Sequence, residues 1–155
     1  MRFTIAAVGR WGETKGGPER ALFDRYASRL DIRLDLKDVV ETRRLTGPKL
    51  RAAEGERLLA QIPKGATVVA LDVKGRSLDS EGLAKLVAGW RNGGTKDIVF
   101  VIGGADGLDV AVLARADLRL SLGPLTWPHL MVRAMLAEQL YRAQCILDRH
   151  PYHRG

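Results

Sequence analysis

The chain has 155 residues, 46% of them apolar and 28% charged, a composition that fits an ordinary globular domain and argues against a disordered or membrane-spanning protein. Lysine and arginine number 25 against 18 aspartates and glutamates, a formal charge of +7 that favours anionic partners such as nucleic acid. A single cysteine, Cys145, excludes an internal disulfide and any cysteine-based zinc cluster, and its apolar helical surroundings read as those of a buried small hydrophobe.

The opening RFTIAAVGR has a strand pattern and lacks the charged region and long apolar core of a secretory leader. No apolar run approaches the roughly 18 residues of a membrane span. These features predict one cytoplasmic domain over residues 1–155, with no membrane partner. Arg25, Arg29, Arg33, Arg43, Arg44 and Arg51 all fall in the first third, where they predict an arginine-rich face.

Strand-like and helix-like segments alternate throughout, which predicts an α/β fold with a largely parallel sheet. Phe3 to Gly9 reads as a buried strand, and Glu19 to Leu30 as a helix with apolar Ala21, Leu22, Tyr26 and Leu30. From Ile32 to Val40, apolar Ile32, Leu34 and Leu36 alternate with charged residues, the pattern of a half-exposed strand toward an edge. Pro48 to Gln61 follows as an amphipathic helix with proline near its start. Ala66 to Leu71 is a continuous apolar strand that stops at Asp72, as expected where both sheet faces are covered. Ser80 to Trp90 is helical, with Ser77 or Asp79 as its cap and Asn92-Gly93-Gly94 as its end. A second apolar strand, Ile98 to Ile102, runs into the turn Gly103-Gly104-Ala105-Asp106-Gly107. Leu118 to Leu122 is a short strand, and His129 to Leu147 a helix apolar around most of its circumference, which needs more than one neighbour, such as a second copy of the chain.

In open α/β sheets ligands gather beyond the carboxyl ends of the strands. Three such loops stand out: Leu71-Asp72 with Gly75, the Gly103 to Gly107 turn, and Gly123-Pro124-Leu125-Thr126-Trp127-Pro128. Neither the glycine turn nor Val8-Gly9-Arg10-Trp11-Gly12 has dinucleotide or phosphate-loop spacing, so the glycines either close a turn or let a ligand reach the backbone. The two prolines fix the third loop, as a preorganised site requires. Trp127 is placed either to stack on a base or to cover the core, and the local pattern favours the core. His129 and Arg133, one turn apart, share a helix face directly after this loop. At the end of the chain His150, Tyr152, His153 and Arg154 collect the groups that stack a base and hold phosphate. His129, His150 and His153 lack the accompanying carboxylates of a metal site, so no metal is expected.

The segments IGGADGL (Ile102 to Leu108), LTWPHLMVR (Leu125 to Arg133), EQLYRA (Glu138 to Ala143) and the terminal HPYHR together resemble the RlmH family. These are SPOUT-class methyltransferases acting on N3 of a pseudouridine in 23S rRNA. The similarity spans essentially the whole chain, including the early AAVGR strand end, with the motifs in order.

The resemblance implies an α/β fold whose parallel sheet ends in a C-terminal trefoil knot, an exception to the usual absence of knots. It also implies a homodimer, S-adenosyl-L-methionine as cofactor with S-adenosyl-L-homocysteine as product, and 23S rRNA in an assembled ribosome as partner. Leu71, Gly103, Gly104 and the loop Gly123, Pro124, Leu125, Thr126, Trp127 and Pro128 would contact the cofactor. Gly123 stands where the family commonly has serine. For the methyl transfer itself, His129, Tyr152 and His153 are candidate bases, with Arg133, Arg142 and Arg154 available for phosphate or carbonyl contacts. Two other classes fit part of the pattern: a non-catalytic basic RNA-binding module, and a different nucleotide-dependent enzyme.

Overall fold

The structure, a computed structural model, describes residues 1–11 and 17–154. Gly12, which completes the segment after the first strand, therefore lies outside the described residues. Strands and helices alternate as β1 (Arg2–Val8), α1 (Pro18–Ala27), β2 (Leu34–Val39), α2 (Gly47–Leu59), β3 (Thr67–Ser77), α3 (Ser80–Asn92), β4 (Asp97–Ile102), α4 (Val110–Arg115), β5 (Leu118–Ser121) and α5 (His129–Leu147).

Every strand pair is parallel and the order is β2-β1-β4-β3-β5. The apolar runs of β3 and β4 are interior, and β2, with its charged alternate residues, lies at an edge. Side chains alternate between two cores. Phe3, Ile5 and Ala7 of β1 pack with residues of α1, α3 and α5, whereas Ala6 and Val8 pack with Leu58 of α2 and Val112 of α4. Helices on both faces explain why the central strands carry no polar face.

Three expectations are corrected. First, β3 does not stop at Asp72. Its register against β5 shifts between Leu71 and Arg76, so residues 72–75 bulge out and the strand then resumes to Ser77. Gly75 permits this, since a Cβ there would lie 2.7 Å from the Arg119 carbonyl carbon on β5. Second, α4 escapes periodicity because it is only six residues long; the Asp109 side chain caps it by accepting from the Ala111 N–H at 3.0 Å. Third, α5 finds more than one neighbour within its own chain, packing on both α1 and α3. Its apolar circumference therefore does not by itself call for a second copy. Asp79, not Ser77, caps α3, accepting from the Gly82 N–H at 2.7 Å, and Cys145 is buried.

Candidate active site

The carboxyl ends of β3, β4 and β5 open onto one cavity of about 570 Å³, within the size range of small-molecule sites. Leu71 and the bulge residues Asp72 to Lys74 form one wall, the turn from Gly103 to Leu108 a second, and Leu122, Gly123, Leu125, Thr126 and Trp127 a third. His129 and Val132, at the start of α5, close it. The cavity thus joins Leu71, Gly103, Gly104, Gly123, Leu125, Thr126, Trp127 and His129. Pro124 and Pro128 belong to the same loop but are not on the lining.

The glycines of the β4 turn answer first to the turn's own packing. A Cβ on Gly103 would sit 2.7 Å from the Gly107 carbonyl carbon, and one on Gly104 would sit 3.1 Å from both Glu54 Oε2 and Val8 Cγ1. Gly104 also accepts from the Gly107 N–H at 3.0 Å. The tight-turn and ligand-approach readings therefore coincide, because the closed turn presents its backbone to the cavity.

Gly123 has φ +100°, a left-handed conformation that serine rarely adopts. Two residues earlier, the Ser121 hydroxyl accepts from the Gly123 N–H at 3.1 Å and donates to its carbonyl at 3.3 Å, so a serine still anchors this turn. Trp127 is not a core residue: it is 37% exposed, and its indole N–H donates to the Leu122 carbonyl at 3.2 Å.

Of the six residues expected to act on substrate, the structure makes two groups. His129 is exposed at the first position of α5 and lies beside Gly9 at the end of β1, where a Cβ would be 3.4 Å from its Nε2. Arg133, one turn on, has a fully buried side chain. It donates to Asp38 at 2.7 Å and to the carbonyls of Val8 and Gly9 at 3.0 and 2.6 Å, and its guanidinium lies 5.0 Å from the Trp11 ring centre. Burial lowers its pKa and Asp38 opposes the shift. In this chain Arg133 ties β1 and β2 to α5 and presents no nitrogen to an RNA phosphate.

Tyr152, His153 and Arg154 form the other group, on a tail folded back along α5. The Tyr152 hydroxyl donates to Glu138 at 3.0 Å, its ring meets Tyr141 edge-on at 4.9 Å, and Arg142 covers it at 4.8 Å. His153 Nδ1 is 3.4 Å from Arg142 Nη1, and Arg154 is exposed. Burial, followed by its bonds to Tyr26 and Glu138, raises the Tyr152 pKa well above the usual phenol range. Tyr152 is therefore a hydrogen-bond donor here, not a base. Glu138 lies about 13 Å along the helix from His129, so tail and cavity of one chain are separate.

Between them is a smaller, mostly apolar hollow of about 370 Å³, bounded by Leu22, Tyr26, Leu122, Met131, Met135 and Glu138. Leu22 and Met131 are 45% and 39% exposed, and Leu125 on the adjacent loop is 67% exposed. Together they make an apolar surface running from the cavity toward the tail.

Sequence reasoning missed the contributions of Val73, Lys74 and Arg119, which depend on the bulge, and of Glu138 and Tyr26, which depend on the tail's path. It also missed Glu54, packed against Gly104, whose carboxyl pKa is raised by burial and then by Asp106 and Glu41. Among the described residues, no group of three or more His, Cys, Asp or Glu side chains is placed to hold a metal ion. Nor is any described helix long and apolar enough to cross a membrane.

A parallel α/β sheet with a glycine-turn cavity at its strand ends defines a small-ligand-binding fold, and comparison identifies which. Residues 1–153 match the family model described as "Predicted SPOUT methyltransferase". The chain is 55% identical over 99% of both sequences to the ribosomal RNA large subunit methyltransferase H of Paramagnetospirillum magneticum. It is 53% identical, over the whole of both chains, to the protein of that name from Rhodospirillum centenum. Two solved structures share the fold at low identity. A probable methylase family protein from Haemophilus influenzae matches with TM-score 0.54 and 11% identity, over 99% of this chain and 70% of that one. TrmJ from Z. mobilis matches with TM-score 0.52 and 16% identity, over 91% and 68%. The chain belongs to the SPOUT methyltransferase family, in its RlmH group.

Proposed function

We propose that this protein transfers a methyl group from S-adenosylmethionine to N3 of a pseudouridine in 23S rRNA, acting in the cytoplasm as a knotted homodimer on an assembled ribosome, with the whole chain 1–155 as one domain. The observation that carries this reading is the cavity in which Leu71, the Gly103 to Leu108 turn and the Gly123 to Trp127 loop converge. Its lining fits the cofactor chemically. Leucines and backbone amides suit an adenine and its ribose, while Asp72 and Asp106 complement a cationic sulfonium.

When bound, the cofactor supplies an electrophilic methyl carbon on a neutral leaving group, so the protein mainly has to align the acceptor nitrogen and take up its proton. In one chain His129 is the candidate nearest the cavity for proton uptake. Leu71 and Leu122, both half-buried on the lining, would exclude water around the reacting groups. The tail group Tyr152, His153 and Arg154, with Arg142, would act at the cavity of the other subunit, Arg142 and Arg154 on phosphate or carbonyl oxygens. The exposed apolar surface at Leu22, Leu125 and Met131 supports a dimer, since such patches mark interfaces. The names of the curated relatives support ribosomal RNA as the substrate.

A non-catalytic RNA-binding module would explain the charge but not the cavity. Calorimetric titration with S-adenosylmethionine in the presence of a chelator separates the two: the enzyme binds one equivalent per chain, the module none.

A further inference from the structure

A second, larger hollow of about 980 Å³ lies at the carboxyl ends of β1 and β2, lined also by residues of α1 and the end of α2. Its lining includes Arg10, Trp11, Arg20, Asp24, Asp38 and Arg57. The carboxylates here already have partners. Arg20 bonds Asp24 at 3.0 Å, Arg133 bonds Asp38 at 2.7 Å, and Glu41 is held by both Arg43 and Arg57 at 3.0 Å. Among the described lining residues three arginines, Arg10, Arg20 and Arg57, stand with two aspartates, an excess of one positive charge, and Arg10 is exposed.

The groove and the cofactor cavity have no lining residue in common, and Gly9 lies between them. It precedes Arg10 on the groove lining, its carbonyl accepts from Arg133, and a Cβ on it would be 3.4 Å from Nε2 of His129 on the cavity lining. A strand in the groove therefore passes close to the rim of the cavity at His129.

We propose that this groove binds the phosphodiester backbone of the substrate RNA beside the nucleotide whose base enters the cofactor cavity, an inference that rests on the RNA-methyltransferase reading above. Guanidinium forks match phosphate oxygens in geometry as well as charge. The Trp11 ring is flanked by the guanidinium groups of Arg20 at 5.5 Å and Arg133 at 5.0 Å, which leaves it poorly placed to stack on a base. The groove consequently grips backbone without reading sequence, and base identity is decided in the cavity. An added peptide strand is the competing occupant at a sheet edge, but it needs pockets for alternate side chains, where this groove offers charged walls.

The test is the affinity of the full-length protein for a fluorescein-labelled single-stranded RNA of roughly 15 nucleotides, a length that single-strand sites span, measured against salt concentration. The double variant Arg10→Ala, Arg20→Ala is compared with Lys85→Ala, Arg91→Ala, which removes the same charge from α3. We expect the groove variant to bind roughly tenfold more weakly at low salt, with the slope of log affinity against log salt reduced by about 1.5, while the α3 variant stays near wild type. Calorimetric affinity for S-adenosylmethionine should be unchanged in both. A folded groove variant with wild-type RNA affinity and slope overturns the proposal. So does a loss seen on intact ribosomes but not on naked 23S rRNA, which would assign the groove to a ribosomal protein. A wild-type protein that binds the cofactor but not this RNA removes the groove, and labelled methyl transfer to assembled ribosomes then decides the RNA substrate separately. Arginine-dependent RNA binding without cofactor binding keeps the groove and removes methyl transfer.

Discussion

Arg133 on α5 and Asp38 near the end of β2 are 95 residues apart in sequence and 2.7 Å apart in the fold, with the arginine side chain fully buried. Replacing Arg133 by methionine would fill the space but leave Asp38 and the Val8 and Gly9 carbonyls without their donor. Breaking a buried pair on one side costs about 3 kcal/mol. We therefore predict that Arg133→Met lowers the unfolding free energy by that amount, read as a lower urea midpoint at an unchanged m-value. A loss under 1 kcal/mol would mean that the guanidinium is free for substrate after all.

Gly103 of the β4 turn should behave unlike Gly89 of α3. Gly103→Ala forces a Cβ to 2.7 Å from backbone and should cost about 2 kcal/mol. Gly89→Ala on α3 meets nothing within 4 Å and should stabilise by about 0.5–1 kcal/mol. Gly104→Val is expected to disturb Glu54 and Val8 before it disturbs a ligand, so its cofactor affinity is informative only beside a thermal melt. Equal effects of the two alanine variants would show that the turn is looser than its contacts indicate.

Glu54 supplies a pH signature. Its carboxyl pKa is raised by burial and by neighbouring Asp106 and Glu41, so the folded state favours the protonated form. The charged form therefore works against folding at neutral pH. Glu54→Gln should be more stable than wild type at pH 7, and the difference should vanish below the unfolded-chain value of about 4.3. Chemical denaturation at both pH values checks this, and a variant less stable at pH 7 would contradict the sign.

Tyr152 has the same sign at the alkaline end. Its phenol pKa is raised by burial and then by bonds to Tyr26 and Glu138, so the associated stability is complete below the unfolded value of about 10 and is lost as pH climbs above it. Ultraviolet titration of the folded protein should show a late-ionising tyrosine that disappears in Tyr152→Phe. If the phenol lost in the variant is one that ionises in the ordinary range, the tail is not docked on α5 in solution.

Much of this architecture was legible in the sequence because its cause is local. The apolar runs at Val68 to Ala70 and Ile98 to Ile102 demand two covered faces, the alternation over β2 marks an edge, and the loops after β3, β4 and β5 carry the punctuation of a ligand site. What escaped depends on distant partners. Nothing near Asp72 announces that β3 resumes after a bulge, because Gly75 is needed only where β5 passes against it. Arg133 looked like a substrate contact beside His129, but Asp38 and the β1 carbonyls that claim it come from the other end of the chain. The tail's docking on α5 escaped because Glu138 and Tyr26, which hold Tyr152, gave no local signal.

The measurement that bears most directly on the function is nucleoside mass spectrometry of 23S rRNA from ribosomes of cells lacking the gene, incubated with the purified protein and isotopically labelled S-adenosylmethionine. The account predicts that label appears in one nucleoside, a pseudouridine methylated at N3, and that naked 23S rRNA is a poorer acceptor than the assembled ribosome. Label in another nucleoside, or none from a protein that binds the cofactor, would contradict it.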